Sequence, residues 1–445
     1  MEEINDSRKE NESAETPVSA YLVGVLEQHS SPAAAREYLE ELRELVNTLG
    51  IPVCGEMTAP IRQINPKFYI GSGKLEEIRQ DAVSRGASIL IFDCDLGPSQ
   101  QRNIEKACSM EVYDRQEVIL DIFARRAQTK EAVIQVELAR NHYYLPRLTG
   151  AWSHLSRQRG GALGTRGEGE KQIEYDRRMV KKKIDLLEKE LETVRSRRAT
   201  QRKERLRKPI ANCAIIGYTN AGKSTLLNSL TGAGVLAEDK LFATLDPTTR
   251  RLVLPDKTEV LLTDTVGFVR KLPHSLVEAF KSTLEEAVLA DFIILVLDVS
   301  SPYVHSHWET TLSVLNELNA ADKPMIVVFN KCDLQRDPVA RAQIRSAAPD
   351  GIFISCKEKE GLDLLLQAIS LHARRQTFTF RLEIPASRPD IIALLHEKGQ
   401  IRESSWADDG TFLVTAELSR ELARKLTEFV LSPASDTDSL PMEGE

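Results

Sequence analysis

Eight residues constrain this chain more than any others. Gly217-Tyr218-Thr219-Asn220-Ala221-Gly222-Lys223-Ser224 fits the phosphate-loop pattern G-x-x-x-x-G-K-[ST]. The apolar run Ile210-Ala211-Asn212-Cys213-Ala214-Ile215-Ile216 before it predicts a strand, and the residues after it predict a helix. That context is what the physics of the motif requires. Glycines let successive backbone N–H groups turn inward around a phosphate, the lysine reaches the outer oxygens, and the serine hydroxyl can ligate Mg2+. A plain glycine turn between strand and helix is the competing reading, and the context disfavours it. The fold that follows is a doubly wound, mainly parallel sheet.

Three further segments recur in the order such a sheet demands. Asp264-Thr265-Val266-Gly267 follows the strand Val260-Leu261-Leu262-Thr263, placing Asp264 where it can hold Mg2+ through water and Gly267 where its N–H faces a γ-phosphate. Asn330-Lys331-Cys332-Asp333 follows the apolar strand Met325-Ile326-Val327-Val328-Phe329. A carboxylate there accepts from N1–H and the exocyclic amine of guanine, a donor pair adenine lacks. Ser355-Cys356-Lys357, after Ile352-Phe353-Ile354, suits the loop that closes over the base. Between phosphate loop and Asp264 lies Phe242-Ala243-Thr244-Leu245-Asp246-Pro247-Thr248-Thr249, the expected γ-phosphate sensor. One threonine there should join Ser224 as a direct Mg2+ ligand; Thr244 is the choice and Thr248 the rival. Lys223, Thr244 and Gly267 are the expected catalytic set. Where Ras-like proteins carry a water-orienting glutamine, this chain has Phe268, so unaided hydrolysis of GTP to GDP is expected to be slow. Asn220 sits at the loop position that potassium-stimulated GTPases share, which makes K+ a candidate second cation.

A chain of 445 residues is too long for one core. The expected parts are a disordered tail (1–19), an N-terminal α/β domain (20–114), a long antiparallel helical hairpin (115–208), the nucleotide-binding domain (209–375), a small α+β domain (376–431) and an acidic disordered tail (432–445). Residues from Asp114 to about Leu145 read as one helix. A second, from about Tyr175 to Arg205, carries Val180, Ile184, Leu187, Leu191 and Val194 at 4-3-4-3 spacing, a seam that wants an antiparallel partner. The loop between them, 146–170, holds six glycines. Six cysteines without a Cys-x-x-Cys pair suggest neither a disulfide framework nor a zinc site. The polar start lacks an export signal, and no apolar run approaches the roughly 20 residues that span a bilayer. A cytoplasmic, monomeric protein is expected, with loose membrane association left open. The net charge of −7 excludes a protein that coats nucleic acid over its whole surface. Any such contact is local, and Arg195 to Lys208, with eight basic residues and one acid, is one place for it.

Several of these segments together resemble the HflX family, ribosome-associated members of the Obg-HflX group of TRAFAC-class P-loop GTPases. The resemblance covers roughly 21–375. It rests on Gly217 to Ser224, Phe242 to Thr248 and Asp264 to Phe268, and on stretches that generic GTPases lack: Gly71-Ser72-Gly73-Lys74, Asp121-Ile122-Phe123-Ala124, Gln135-Val136-Glu137-Leu138-Ala139 and Arg157-Gln158-Arg159-Gly160-Gly161. It implies binding to the large (50S) ribosomal subunit and its rRNA, hydrolysis stimulated there, and splitting or rescue of stalled ribosomes under stress. Arg157, Arg159 and Arg166, set among glycines, suit folded RNA, because backbone can approach phosphates while guanidinium groups pair with them. The family's N-terminal region is associated with ATP, for which Gly71, Ser72, Gly73 and Lys74 are the candidates. Their spacing falls short of a full phosphate loop, so a structural turn competes with that reading. Two alternatives stand beside the ribosomal switch: an RNA-remodelling ATPase working through the N-terminal domain, and a biogenesis or storage factor that docks on subunits without splitting them.

Overall fold

The computed structural model describes residues 18–28, 32–149, 166–205, 210–232, 241–242, 244–270, 286–335, 337–374, 377–407 and 409–433. They divide into two compact units: the described residues up to Ala127 with 133–188, and 128–132 with the described residues from Lys189 onward.

The first unit is built on a four-stranded parallel sheet of order β2-β1-β3-β4, with β1 Ala20–Glu27, β2 Val53–Ile61, β3 Ile89–Phe92 and β4 Glu111–Asp114. Central β3 is buried along its whole length, as a strand covered on both faces must be. Helices α1 (Pro32–Thr48), α2 (Ser72–Ser84) and α3 (Pro98–Cys108) connect these strands. Two strands escaped the sequence reading. β2 is an edge strand with only Ala59 and Ile61 buried, and β4 is four residues long, so neither carries a readable pattern.

The single helix expected from Asp114 to Leu145 is two. α4 spans Arg115–Arg126, α5 spans Lys130–Tyr144, and a 3-10 turn follows over Leu145–Thr149. The chain turns extended at Ala127. Thr129 then caps α5, its hydroxyl accepting from Ala132 N at 3.2 Å. The second hairpin helix, α6, begins at Arg166 rather than near Tyr175 and runs to Arg205, so Gly167 and Gly169 are helical. A glycine costs a helix interior only about 1 kcal/mol, which a long helix absorbs. Arg166 therefore opens α6; Arg157 and Arg159 lie outside the described residues. The hairpin pairing holds: Ile184, Leu187 and Leu191 are buried, Glu137 meets Lys183 at 3.2 Å, and Lys130 meets Glu190 at 3.9 Å, an antiparallel register.

The nucleotide-binding part of the second unit is a six-stranded mixed sheet of order β10-β9-β8-β5-β7-β6. Its strands are β5 Ala211–Gly217, β6 Thr248–Val253, β7 Glu259–Asp264, β8 Phe292–Asp298, β9 Met325–Asn330 and β10 Ile352–Phe353. Only β6 runs antiparallel. β5 is central, and the chain leaves it first toward β7 and β6 and then crosses back to β8. Its carboxyl end is thus the switch point where doubly wound sheets bind ligands. Helices α7 (Lys223–Thr231), α8 (Val304–Glu317), α9 (Pro338–Ala347) and α10 (Leu362–Arg374) complete this part.

The remaining chain forms a small antiparallel sheet, β12-β13-β11-β14, from β11 Thr377–Ile384, β12 Gln400–Trp406, β13 Phe412–Ser419 and β14 Val430–Pro433. Helices α11 (Pro389–Lys398) and α12 (Arg420–Lys425) supply Ile391, Leu395 and Leu422 to its core. Among the described residues no helix is long and apolar enough to cross a membrane.

Candidate nucleotide site

The loop after β5 needs its glycines for space. A Cβ on Gly217 would lie 2.1 Å from the Val296 carbonyl oxygen, so the loop leaves the sheet in contact with β8. Gly222 adopts φ +94°, and a Cβ there would meet Asn330 Nδ2 at 2.2 Å. Gly222 immediately precedes α7, which starts at Lys223. The Lys223 side chain is buried, and its Nζ donates to the Tyr218 carbonyl at 2.9 Å. Burial pushes its pKa down to about 8, against the opposing pull of the Asp264 carboxylate. An anion in the loop would supply the partner charge that a buried ammonium lacks.

Beside the lysine three oxygens converge. Ser224 Oγ donates to Asp264 Oδ2 at 2.6 Å and lies 2.7 Å from Thr244 Oγ1, which donates to the same carboxylate oxygen at 3.1 Å. Asp264 closes β7 with no solvent exposure, and its Oδ1 has no hydrogen-bond partner among the described residues. Burial raises its carboxyl pKa; Lys223 and the two hydroxyls pull the other way. Two hydroxyls and a carboxylate with an oxygen left over form a hard, all-oxygen donor set, which fits Mg2+. Thr248 instead begins β6 and pairs with Asp264 in the ladder, so Thr244 is the threonine that reaches the cluster. Leu245, like Phe242, is buried; Ala243 lies outside the described residues.

The segment after β7 is pinned to the phosphate loop. Thr219 N donates to Phe268 O at 2.7 Å and Phe268 N to Gly217 O at 3.1 Å. A Cβ on Gly267 would come within 2.7 Å of Thr219 Cα and 2.9 Å of Lys223 Nζ, so only glycine fits there. Thr265 Oγ1 donates to Ile215 O at 2.8 Å, Val266 is buried, and the Phe268 ring is 2% exposed.

On the base side, Asn330 braces two loops: its Nδ2 donates to Ala221 O at 2.9 Å, and its Oδ1 accepts from Cys356 N at 3.2 Å. Lys331, at φ +64°, pairs with Asp298 at 2.7 Å. Cys332 N donates to Ile354 O at 3.1 Å, and Ser355 pairs with Glu360 across a turn that contains Lys357. Asp333 follows within the turn after β9. The four predicted segments therefore meet at one end of one sheet.

Sequence reasoning missed three participants. Asp298, at the end of the apolar strand β8, had the same signal as Asp264: an acid closing an apolar run. Thr129 had none. The Asp246 carboxylate accepts from Gln128 N at 3.3 Å, from Thr129 N at 3.1 Å and from the Thr129 hydroxyl. His307 had none either; its ring lies flat against that of Tyr218. The other glycine turn, Gly71 to Lys74, opens α2. Among the described residues nothing beyond the local chain lies within 4 Å of where a Cβ on Gly71 or Gly73 would be, and Lys74 pairs with Glu77 at 3.0 Å.

Three family models match consecutive stretches of the chain. Residues 36–124 match the family described as GTP-binding GTPase N-terminal, 126–205 the GTP-binding GTPase middle region, and 212–331 the 50S ribosome-binding GTPase. A GTPase HflX of Akkermansia muciniphila is 47% identical over 426 residues, covering 92% of this chain and 96% of that one. A GTPase HflX of Caldanaerobacter subterraneus is 45% identical, covering 93% and 94%. The solved complex of SsGBP with GDP is 29% identical, covers 80% of this chain and 99% of that one, and superposes with a TM-score of 0.46.

Proposed function

The chain belongs to the HflX family and is a ribosome-binding GTPase. On that premise we propose that its GTP-bound form docks on the large ribosomal subunit in the cytoplasm, that contacts there accelerate hydrolysis, and that the GDP form leaves, the cycle serving to split or rescue stalled ribosomes. The observation that carries the switch is the convergence of Ser224, Thr244 and Asp264 on one side of Lys223. Thr244 comes from the segment that must respond to the γ-phosphate, while Ser224 comes from the first turn of α7 and Asp264 from the end of β7. A state in which all three meet differs from one in which Thr244 has left, and only the first is stabilised by a bound triphosphate.

In this reading the N–H groups from Asn220 to Ser224 wrap the β-phosphate, and Lys223 gives up its bond to the Tyr218 carbonyl to reach the β- and γ-oxygens. Gly267 offers its N–H to the γ-phosphate, and Asp333 with the Asn330-braced loops selects guanine. Ser224, Thr244 and Asp264 would hold Mg2+. When bound, the ion neutralises charge on the β- and γ-oxygens. Phe268 cannot orient a water molecule, so a group brought by the ribosome, or one rearranged by it, does so. Asn220, at φ +59° in the loop, is the residue through which K+ would act.

The test is GTP turnover by the purified protein with and without large subunits, in potassium and then in sodium buffer, beside Lys223→Ala. The expected result is slow turnover alone, strong stimulation by the subunit and a further loss in sodium. Turnover already fast alone and indifferent to ribosomes would leave the GTPase standing and remove the ribosomal mechanism.

A further inference from the structure

Phe268 poses a physical question. A segment whose side chain cannot orient water contributes to hydrolysis only through the position of its backbone, so something must hold that backbone still. The contacts that do so converge on Tyr218, the second residue of the phosphate loop. Its backbone forms a parallel bridge with Phe268 that extends the β5–β7 pairing. Its phenol oxygen accepts a hydrogen bond from Arg270 N at 3.0 Å, two residues beyond Phe268. Its ring, 5% exposed, stacks on His307 of α8, with centroids 3.8 Å apart and planes at 10°. Arg270 is itself buried, and its Nη2 donates to Ser306 Oγ, the neighbour of His307 on α8.

We propose that Tyr218 and His307 are positioning residues for GTP hydrolysis: the α8 face formed by Ser306 and His307 holds the Tyr218 ring, and the Tyr218 hydroxyl holds the segment Gly267–Arg270 at the distance from the phosphate loop that the reaction needs. The chain of support runs from α8 to ring, from ring to hydroxyl, from hydroxyl to Arg270 N, and from there to the Gly267 N–H that faces the γ-phosphate. The phosphate loop's pattern leaves position 218 unspecified, so nothing in the motif accounts for a buried tyrosine there. The nucleotide side of Tyr218 needs only backbone. A role in positioning therefore separates cleanly from a role in binding: loss of the hydroxyl loosens the segment at Arg270, beyond the backbone bonds of Phe268, and leaves the β-phosphate cradle intact.

The inference rests on the nucleotide-site reading above, so Lys223→Ala is the control for that reading. The experiment measures basal GTP turnover by the full chain, affinity for a fluorescent GDP, and affinity for the same GDP in the presence of aluminium fluoride, which mimics the transferring phosphoryl group. Tyr218→Phe keeps the stack and loses the acceptor. The expected result is kcat lower by about 5–10-fold, the net worth of roughly one hydrogen bond made in the reacting state, with KM and GDP affinity unchanged. Aluminium-fluoride capture is expected to weaken by the same factor. His307→Ala should lower kcat likewise, and His307→Phe, which restores a ring, should recover most of it. Wild-type kcat in Tyr218→Phe overturns the inference. So does a parallel fall of kcat, GDP affinity and melting temperature with no recovery in His307→Phe. If Lys223→Ala still hydrolyses GTP at the wild-type rate, the site reading itself fails, an outcome separate from either.

Discussion

At Gly222 a missing side chain is the functional feature. Its φ of +94° and the 2.2 Å approach of Asn330 Nδ2 to a Cβ position make alanine there both strained and in collision with the residue that braces the loops at Ala221 and Cys356. Gly222→Ala should weaken GTP binding by at least ~100-fold, since about 3 kcal/mol is a modest sum for a left-handed non-glycine residue and a displaced Asn330. Isothermal titration with GTP would read this, and affinity within threefold of wild type would refute it. A different residue, Glu117, contributes to the first unit's response to pH. Glu117 is buried on α4, accepts from Tyr144 Oη at 3.0 Å and Tyr143 Oη at 3.2 Å, and burial followed by the charge of Asp114 pushes its pKa from 4.5 to about 7. The folded state thus binds more protons than the unfolded one between those values. Its stabilisation is fully present below about pH 4.5 and is lost as pH rises through 7, on the order of 3 kcal/mol in all. Glu117→Gln keeps an acceptor for the tyrosines and removes the titration. Its denaturation midpoint relative to wild type should climb from pH 5 to pH 8, and a flat difference across that range would contradict the argument. Residues of both kinds differ in how they announce themselves. Gly222 is legible because the phosphate-loop pattern names it, whereas Glu117 is one of 66 acids, and only its packing sets it apart.

Elements were legible where one local signal sufficed. β5, β8 and β9 are apolar runs that end in the loops carrying the site, and α6 showed its buried seam through Ile184, Leu187 and Leu191. The break between α4 and α5 was not legible, because its causes act over long range: Asp246 takes the N–H groups of Gln128 and Thr129 from more than a hundred residues away. Under the proposed function that pairing anchors the segment that carries Thr244. Asp246 lies two residues after Thr244, so the first turn of α5 is the fixed point from which Thr244 reaches Asp264. Asp246→Ala deletes the acceptor for two backbone donors and a hydroxyl, about 1–2 kcal/mol of restraint. The Mg2+ concentration that half-activates GTP turnover should then rise roughly 5- to 30-fold, with GDP affinity in chelator unchanged. Thr129→Val should move it in the same direction, and an unshifted Mg2+ titration in both variants would show that Thr244 needs no such anchor.

For the molecule as a whole, the division of labour can be argued from charge. A chain with net charge −7 approaches a polyanion only through local basic segments, and among the described residues at the nucleotide site Lys223 is buried and Lys331 is paired with Asp298, which leaves Lys357 and Lys359 as its exposed cations. Under the proposed function, recognition of rRNA is shared between the basic run Arg195 to Lys208 and the glycine- and arginine-bearing stretch between α5 and α6, and Arg157 and Arg159 of that stretch can be tested separately. Phosphate pairing has a signature that shape recognition lacks: each paired phosphate releases counterions, so affinity falls with salt along a line whose slope counts them. Arg157→Gln with Arg159→Gln should reduce that slope for large-subunit binding by about one for each phosphate left unpaired and should abolish subunit-stimulated GTP turnover. Measured by co-sedimentation at several KCl concentrations, an unchanged slope would mean that these arginines do not touch phosphate. A reduced slope with stimulation retained would mean that they tether the chain without transmitting anything to Thr244 and Gly267, and the activating interaction would then have to be sought on the nucleotide-binding part itself.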